Sequence, residues 1–310
     1  MGRTLLIVLT GFAASFGVLA MSKNQRFAYS LDRMVNQVSD YSEKNASTSG
    51  VHKALNQLYL DPAWRGSYNN LAIAGGTVDI TVVNDSVSGA PKAHQVKILS
   101  SSANALTQVI VFDSEFQEFA VWAKDTAISV TTQDSLGVSD PDLLMQNAPF
   151  MPKIDKDSLY SVATAQSHLY DNGGESHFHP LNGFPNTGGF YYDSTAAPKV
   201  ANVIHVGGHL HVRNDRTVYG IFIVEGNVLL SKNAHIKGVL YLPNSSSRVY
   251  NHNSMLPLES GQVTGGIVTW GEIDFGIDHQ LIVRHRPEYL RALVSDYAPN
   301  NPPIRVLTWK

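Results

Sequence analysis

His177 and His179 form one His-x-His pair, and His209 and His211 form a second. In a strand, residues two apart project to the same face, so each pair presents two imidazoles side by side, the donor type that zinc and copper accept. The two pairs lie far apart in the chain, no Asp or Glu stands beside them at an obvious ligand spacing, and His-x-His is a pattern of low specificity. The expectation is surface or packing histidines, with no metal and no cofactor. Asp140 with Asp142, and Asp155 with Asp157, hint at a calcium loop but lack its full ligand spacing, which makes solvated loops and helix caps the expectation. No Gly-x-Ser-x-Gly elbow, His-Glu-x-x-His motif or phosphate-cradling glycine loop is present, and no catalytic residue is assigned.

The elements that would have to position any such chemistry begin with an apolar run. From Leu5 to Met21 only Thr10 and Ser15 interrupt Leu, Ile, Val, Phe, Ala, Gly and Met, and no charge lies between Arg3 and Lys23. At about 1.5 Å per residue such a helix just reaches across a hydrocarbon core of about 30 Å. The alternative is a secretory signal peptide, with Arg3 as the basic start and Val18-Leu19-Ala20 as a small-residue cleavage site. Beyond Met21 the apolar positions recur at Phe27, Leu31, Met34, Val38 and Tyr41, then at Val51, Leu55, Leu58 and Tyr59, on one helix face, until Asp61-Pro62. One continuous helix of residues 1–61 would be about 90 Å long, and much of it must pack on something outside its own chain. Gly11 and Gly17 predict local unwinding or close helix contact, and Gly50 a weaker point further on.

Composition narrows the class. The chain has 310 residues, a net charge of -3 and 16% charged residues, which gives no basic field for nucleic acid. The absence of Cys excludes a disulfide framework and thiolate metal sites.

After the helix, residues 62–130 read as β, with alternation at Thr77 to Val82, Val96 to Leu99 and Val109 to Phe112. Residues 131–200 are rich in Pro, Gly, Asn and Asp, with one short helix predicted at Asp157 to Leu169. Residues 201–310 repeat: Ile204 to Leu210 aligns with Phe222 to Val228 at an offset of 18 residues, Val218, Gly220 and Ile221 align with Ile236, Gly238 and Val239, and Gly220, Phe222, Gly226 and Val228 match Gly265, Ile267, Gly271 and Ile273 in a further copy. Each 18-residue repeat predicts one coil of a β-solenoid, with an antiparallel sandwich as the alternative and Ala120 to Val130 as an earlier, degenerate coil. Gly207-Gly208 and Gly265-Gly266 read as corners. The fold class is α+β.

Taken in order, several stretches carry a resemblance. They are the apolar start, Ser49 to Leu55 leading into Asp61 to Arg65, Gly75-Gly76-Thr77-Val78, Met151 to Asp155, and Val203 to Gly208 followed by Val218 to Val224. The chain resembles type IV pilin-like proteins of the PilX-type pilus-assembly group, which carry an N-terminal membrane helix and a β-rich head with bactofilin-like repeats. It departs from them where they place a glutamate shortly after the mature amino end. Leu5 stands there if Met1 is the mature first residue, and Ile7 if cleavage follows Gly2.

The resemblance implies a non-enzymatic subunit of an extracellular filament. It would reside in a bacterial inner membrane before assembly, then polymerise with copies of itself through pilus-assembly machinery. Met1, Leu5, Leu6, Leu9, Gly11, Phe12, Phe16, Gly17 and Leu19 would form the filament core, and Phe27, Leu31, Met34 and Val38 would continue the helix packing. Two other readings stand beside it: a minor, tip or priming subunit whose 131–200 loops grip a surface or glycan, and a membrane-anchored metalloenzyme using His177, His179, His209 and His211.

Overall fold

The computed structural model describes residues 2–85, 95–112, 114–170, 177–185, 189–193, 195, 199–251, 260–297 and 304–310, with backbone alone at 2–5 and 295–296. It contains a long helix followed by a β-rich region and divides into two compact units, residues 1–83, 96–110 and 308–310 in the first, 84–95 and 111–307 in the second.

Helix α1 runs Gly2–Leu60. Its 59 residues make a rod about 89 Å long. It continues through Gly11 and Gly17, so local unwinding, one of the two alternatives expected there, does not occur. It ends where Pro62 pushes Asp61 away from helical geometry. Asp61 donates the closing bond to Gln57 O and accepts Ala63 N–H on its side chain.

Only the rear of α1 meets its own unit. Ala46, Ser47, Val51, Ala54 and Leu58 are buried there at helical spacing. They face a sheet made of β1 (Ser67–Ile73), β2 (Gly76–Asn84), β3 (Gln95–Ser102), β4 (Ala105–Phe112) and the C-terminal strand Arg305–Trp309, in that order. Alternation places Val78, Ile80, Val96, Ile98 and Val109 inside. Small helix residues allow close approach: a Cβ at Gly50 would stand 2.2 Å from Ser100 Oγ and 3.2 Å from Ile80 Cγ1. The position read as a weak point in the helix is therefore a point of tight helix–sheet contact.

The second unit opens with β5 (Val121–Ala123), β6 (Ala127–Ile128), β7 (Val130–Gln133) and β8 (Leu144–Met145), then α2 (Lys156–Ala165). Helix α2 stops four residues before the predicted Leu169, because Leu169 belongs to a strand. Asp155 caps it, accepting Asp157 and Ser158 N–H, and Asp140 likewise accepts Asp142 N–H at a 3₁₀ turn. Both acidic pairs act as caps. Next come β9 (Leu169–Tyr170), β10 (His177–Phe178) and an antiparallel pair, β11 (Tyr191–Asp193) with β12 (Val200–Ala201).

From there the chain alternates between two sheets. β13 (Val203–Val206), β15 (Thr217–Val224), β17 (His235–Leu242), β19 (Ser260–Thr269) and β21 (Gln280–His285) enter a nine-stranded sheet. β14 (His209–Val212), β16 (Val228–Leu230), β18 (Arg248–Asn251) and β20 (Glu272–Asp274) enter a six-stranded one. Neighbouring strands in both run parallel, which excludes the antiparallel alternative for this region. Ile204, Phe222, Leu240 and Ile267 form one in-register column, and Leu210, Val228, Val249 and Ile273 another. Both columns are fully buried in one apolar cluster, where each such side chain contributes about 1.5–3 kcal/mol.

β5, β6 and β7 pair with β19, β20 and β21. The early segment Ala120 to Val130 thus extends the stack beyond its last rungs, while β9 and β10 extend it before the first. Gly207-Gly208 separates β13 from β14, as a corner should. Gly265-Gly266 lies inside β19, at the point where that strand changes partner from β21 to β5. Helices α2 and α3 (Pro287–Tyr297) bury Leu159, Ala163, Leu290 and Leu293 with Val203, Ile221, Ile223, Val239 and Val268 of the nine-stranded sheet.

Candidate functional sites

Three features combine polar or exposed groups in a way that carries chemistry. The first joins the two histidine pairs. Phe178, Leu210 and Val212 turn toward the apolar cluster, which leaves the alternate residues on the outer face of the six-stranded sheet. Parallel pairing sets His177 beside His209. Ring centroids are 5.0 Å apart for His177 and His209, 4.9 Å for His179 and His211, and 5.9 Å for His177 and His179. Four imidazoles separated in sequence form one array.

Two of the four rings have a nitrogen already committed, while His179 Nδ1 has no hydrogen-bond partner among the described residues. His209 Nδ1 accepts Asn227 N–H at 2.7 Å, so its proton sits on Nε2. His211 Nε2 pairs with Ser231 Oγ at 2.7 Å, both residues being buried. Burial first, then the Arg213 charge, lowers the His179 pKa, which keeps that ring neutral near pH 7. Among the described residues no group of three or more His, Asp or Glu side chains is arranged to hold a metal ion. The Ser231–His211 pair is closed off from solvent, which suits a structural hydrogen bond better than a nucleophile.

The second feature was not legible as a site. Glu225, in the turn after β15, lies 3.1 Å from Lys156 Nζ and 3.5 Å from His205 Nε2, and takes Asn244 Nδ2 at 2.9 Å. Its pKa falls to about 2, chiefly through the His205 hydrogen bond, with Lys156 and Asn244 adding to it against the opposing effect of burial. A carboxylate held so low is an ionised anchor, not a proton-transfer group for neutral pH. It ties α2, β13 and the 244–247 turn together, since Ser247 Oγ also donates to the Glu225 carbonyl. The available signal was one charged residue inside an otherwise apolar repeat.

The third feature is the front of α1. Leu6, Leu9, Phe12, Phe16 and Leu19 are all exposed, as are Phe27, Leu31, Met34 and Val38. Nothing lies within 4 Å of a Cβ built at Gly11 or Gly17. Met1 lies outside the described residues, and of Leu5 the backbone alone is described. Thr10 Oγ1 donates to Leu6 O at 2.9 Å and Ser15 Oγ to Gly11 O at 2.8 Å, so the two hydroxyls of the run are satisfied within the helix. The helix holds an 18-residue window of mean hydropathy 1.7, none of it buried, and is long and apolar enough for a membrane anchor or a signal sequence. Set against known protein families, curated proteins and solved structures, the chain matches none.

Proposed function

We propose that the chain is a non-enzymatic structural subunit of an extracellular, type IV pilus-like filament. The observation that carries this reading is the division of labour along α1. Its rear is buried on its own sheet, while Leu6 to Met21 is exposed on every side with its hydroxyls internally bonded. Such a surface needs an apolar surround, first lipid and then sister helices. Removing it from water is worth about 25 cal/mol per Å², and less when lipid is the starting point.

On this reading the subunit waits in a bacterial inner membrane, is extracted by pilus-assembly machinery and packs its helix at the filament axis. The alternating parallel strands of residues 201–285 act as coils of a β-solenoid and form the outward head. Negative-stain microscopy of sheared cell-surface material, with mass spectrometry of the subunit's amino end, tests polymer and processing together. Filaments that contain the apolar segment support the proposal. A product that begins near Met21 and stays a single soluble particle defeats it.

A further inference from the structure

The outer face of the six-stranded sheet holds a second feature, independent of α1 and of polymer formation. An open cleft of about 470 Å³ is lined by Asn227, Arg248, Tyr250, Asp274, Phe275 and His279, among others. Its floor is built by register: Val249 and Ile273 point into the core, so Arg248 and Tyr250, and their partners Glu272 and Asp274, share the opposite face. Asn227 borders it from the turn just before β16, its Oδ1 accepting Arg248 N–H at 2.9 Å. With strands about 4.8 Å apart, three rungs offer a floor about 10 Å wide, and the volume lies in the usual range for small-ligand clefts.

Several of its polar groups are unengaged. Among the described residues Asn227 Nδ2 and the Tyr250 hydroxyl have no hydrogen-bond partner; His279 Nδ1 has none either, but it is closed off from solvent. Asp274 commits Oδ1 to Gly276 N–H. Arg248, the one cation among the lining residues, is ion-paired with Glu272, and Asp274 beside the pair leaves the group with one negative charge in excess. An anionic ligand would meet two carboxylates around one guanidinium, and among the described residues a bare divalent cation has no three-ligand group to enter. An apolar ligand would leave the Asn227 amide and the Tyr250 phenol unpaired, at about 1–3 kcal/mol for each group desolvated. A neutral ligand dense in hydroxyls matches these groups, able to give and accept hydrogen bonds and to lay an aliphatic ring face on Tyr250.

We infer that this cleft binds a neutral saccharide, one to two sugar rings long, across Asn227, Arg248 and Tyr250. The test is calorimetric titration of the full-length protein, dispersed in a detergent without a sugar headgroup, with neutral glucose, galactose, mannose and N-acetylglucosamine disaccharides and trisaccharides and with their sulfated forms. At least one neutral sugar binds, its sulfated form binds no better, and Tyr250→Ala weakens it at least tenfold. Tyr250→Phe retains the ring and most of the affinity, and His177→Ala, on the same face but outside the cleft, leaves it unchanged. Circular dichroism of Tyr250→Ala matching the parent shows that the loss is local. Absence of binding across the neutral set, tighter binding of the sulfated forms, or affinity indifferent to both Tyr250→Ala and Asn227→Ala would each overturn the inference. Because the subunits are dispersed, the result is independent of whether they form filaments.

Discussion

Gly220 and Gly238 face each other across β15 and β17 so closely that a Cβ on Gly238 would stand 1.8 Å from the Gly220 carbonyl oxygen. Gly265 repeats the relationship on the next rung, 1.9 Å from Gly238 O, and all three have positive φ. No rotamer change relieves a clash with backbone. Gly238→Ala must push two rungs apart in the middle of the apolar stack, and should cost about 3 kcal/mol or more. Thermal unfolding followed by circular dichroism checks this; a loss below about 1 kcal/mol would show that the stack is loose there.

Ser100 and Gly50 give the opposite kind of prediction. Ser100 Oγ is buried with no hydrogen-bond partner among the described residues, and it is also the atom that a side chain at 50 would strike. Ser100→Ala removes an unsatisfied hydroxyl and should be neutral or stabilise by about 1 kcal/mol. Gly50→Ala alone should destabilise by about 1 kcal/mol. In the Ser100→Ala background the clash shrinks to a tight contact, and the helix-propensity gain of about 1 kcal/mol over Gly should offset it. Chemical denaturation of the four proteins of this cycle gives the coupling, and additive effects would mean that the two positions do not touch.

The helix and the strand registers were readable because each is a one-dimensional pattern. Val218 with Ile236 and Gly220 with Gly238 align in the sequence and pair in the sheet, since a parallel stack converts a fixed offset into a register. Gly50 was misread because propensity alone counts a mid-helix glycine as a cost, while its use depends on Ser100, far away in the chain. The place of Ala120 to Val130 was likewise hidden: its partners are Ile267 to Thr269, Ile273-Asp274 and Leu281, and no local pattern says which end of a stack a segment joins. The histidine pairs were visible as pairs. That they meet depends on β10 lying beside β14, which the intervening loop conceals.

Acidification should weaken the second unit in a defined window. Burial, reinforced by Lys237 and Arg284, drops the His235 pKa from 6.5 to about 4, and its Nε2 pairs with Thr264 Oγ1 at 2.8 Å. Between those values the unfolded chain binds a proton that the folded chain refuses, so stability is full above pH 6.5 and is lost as pH falls toward 4. The buried His168 shifts in the same direction. His235→Gln should flatten the slope in part, leaving the shares of His168 and His179. Denaturation midpoints measured at half-unit steps check it, and an unchanged slope in the variant would assign the acid sensitivity elsewhere.

For the apolar front of α1 the decisive change is a charge on a side chain that touches nothing of its own. Leu9 is 62% exposed in the isolated subunit, so Leu9→Asp should leave the unfolding temperature of the β-rich part within experimental error. In lipid or between sister helices the same carboxylate is unsolvated, at about 3 kcal/mol or more per subunit. Every copy pays that penalty in a helical polymer, and filaments should be absent from sheared material while subunit remains detectable in the cell. Leu9→Met keeps the volume and apolar character and should assemble as the parent does. Filaments of normal number from the Asp variant would remove α1 from the axis.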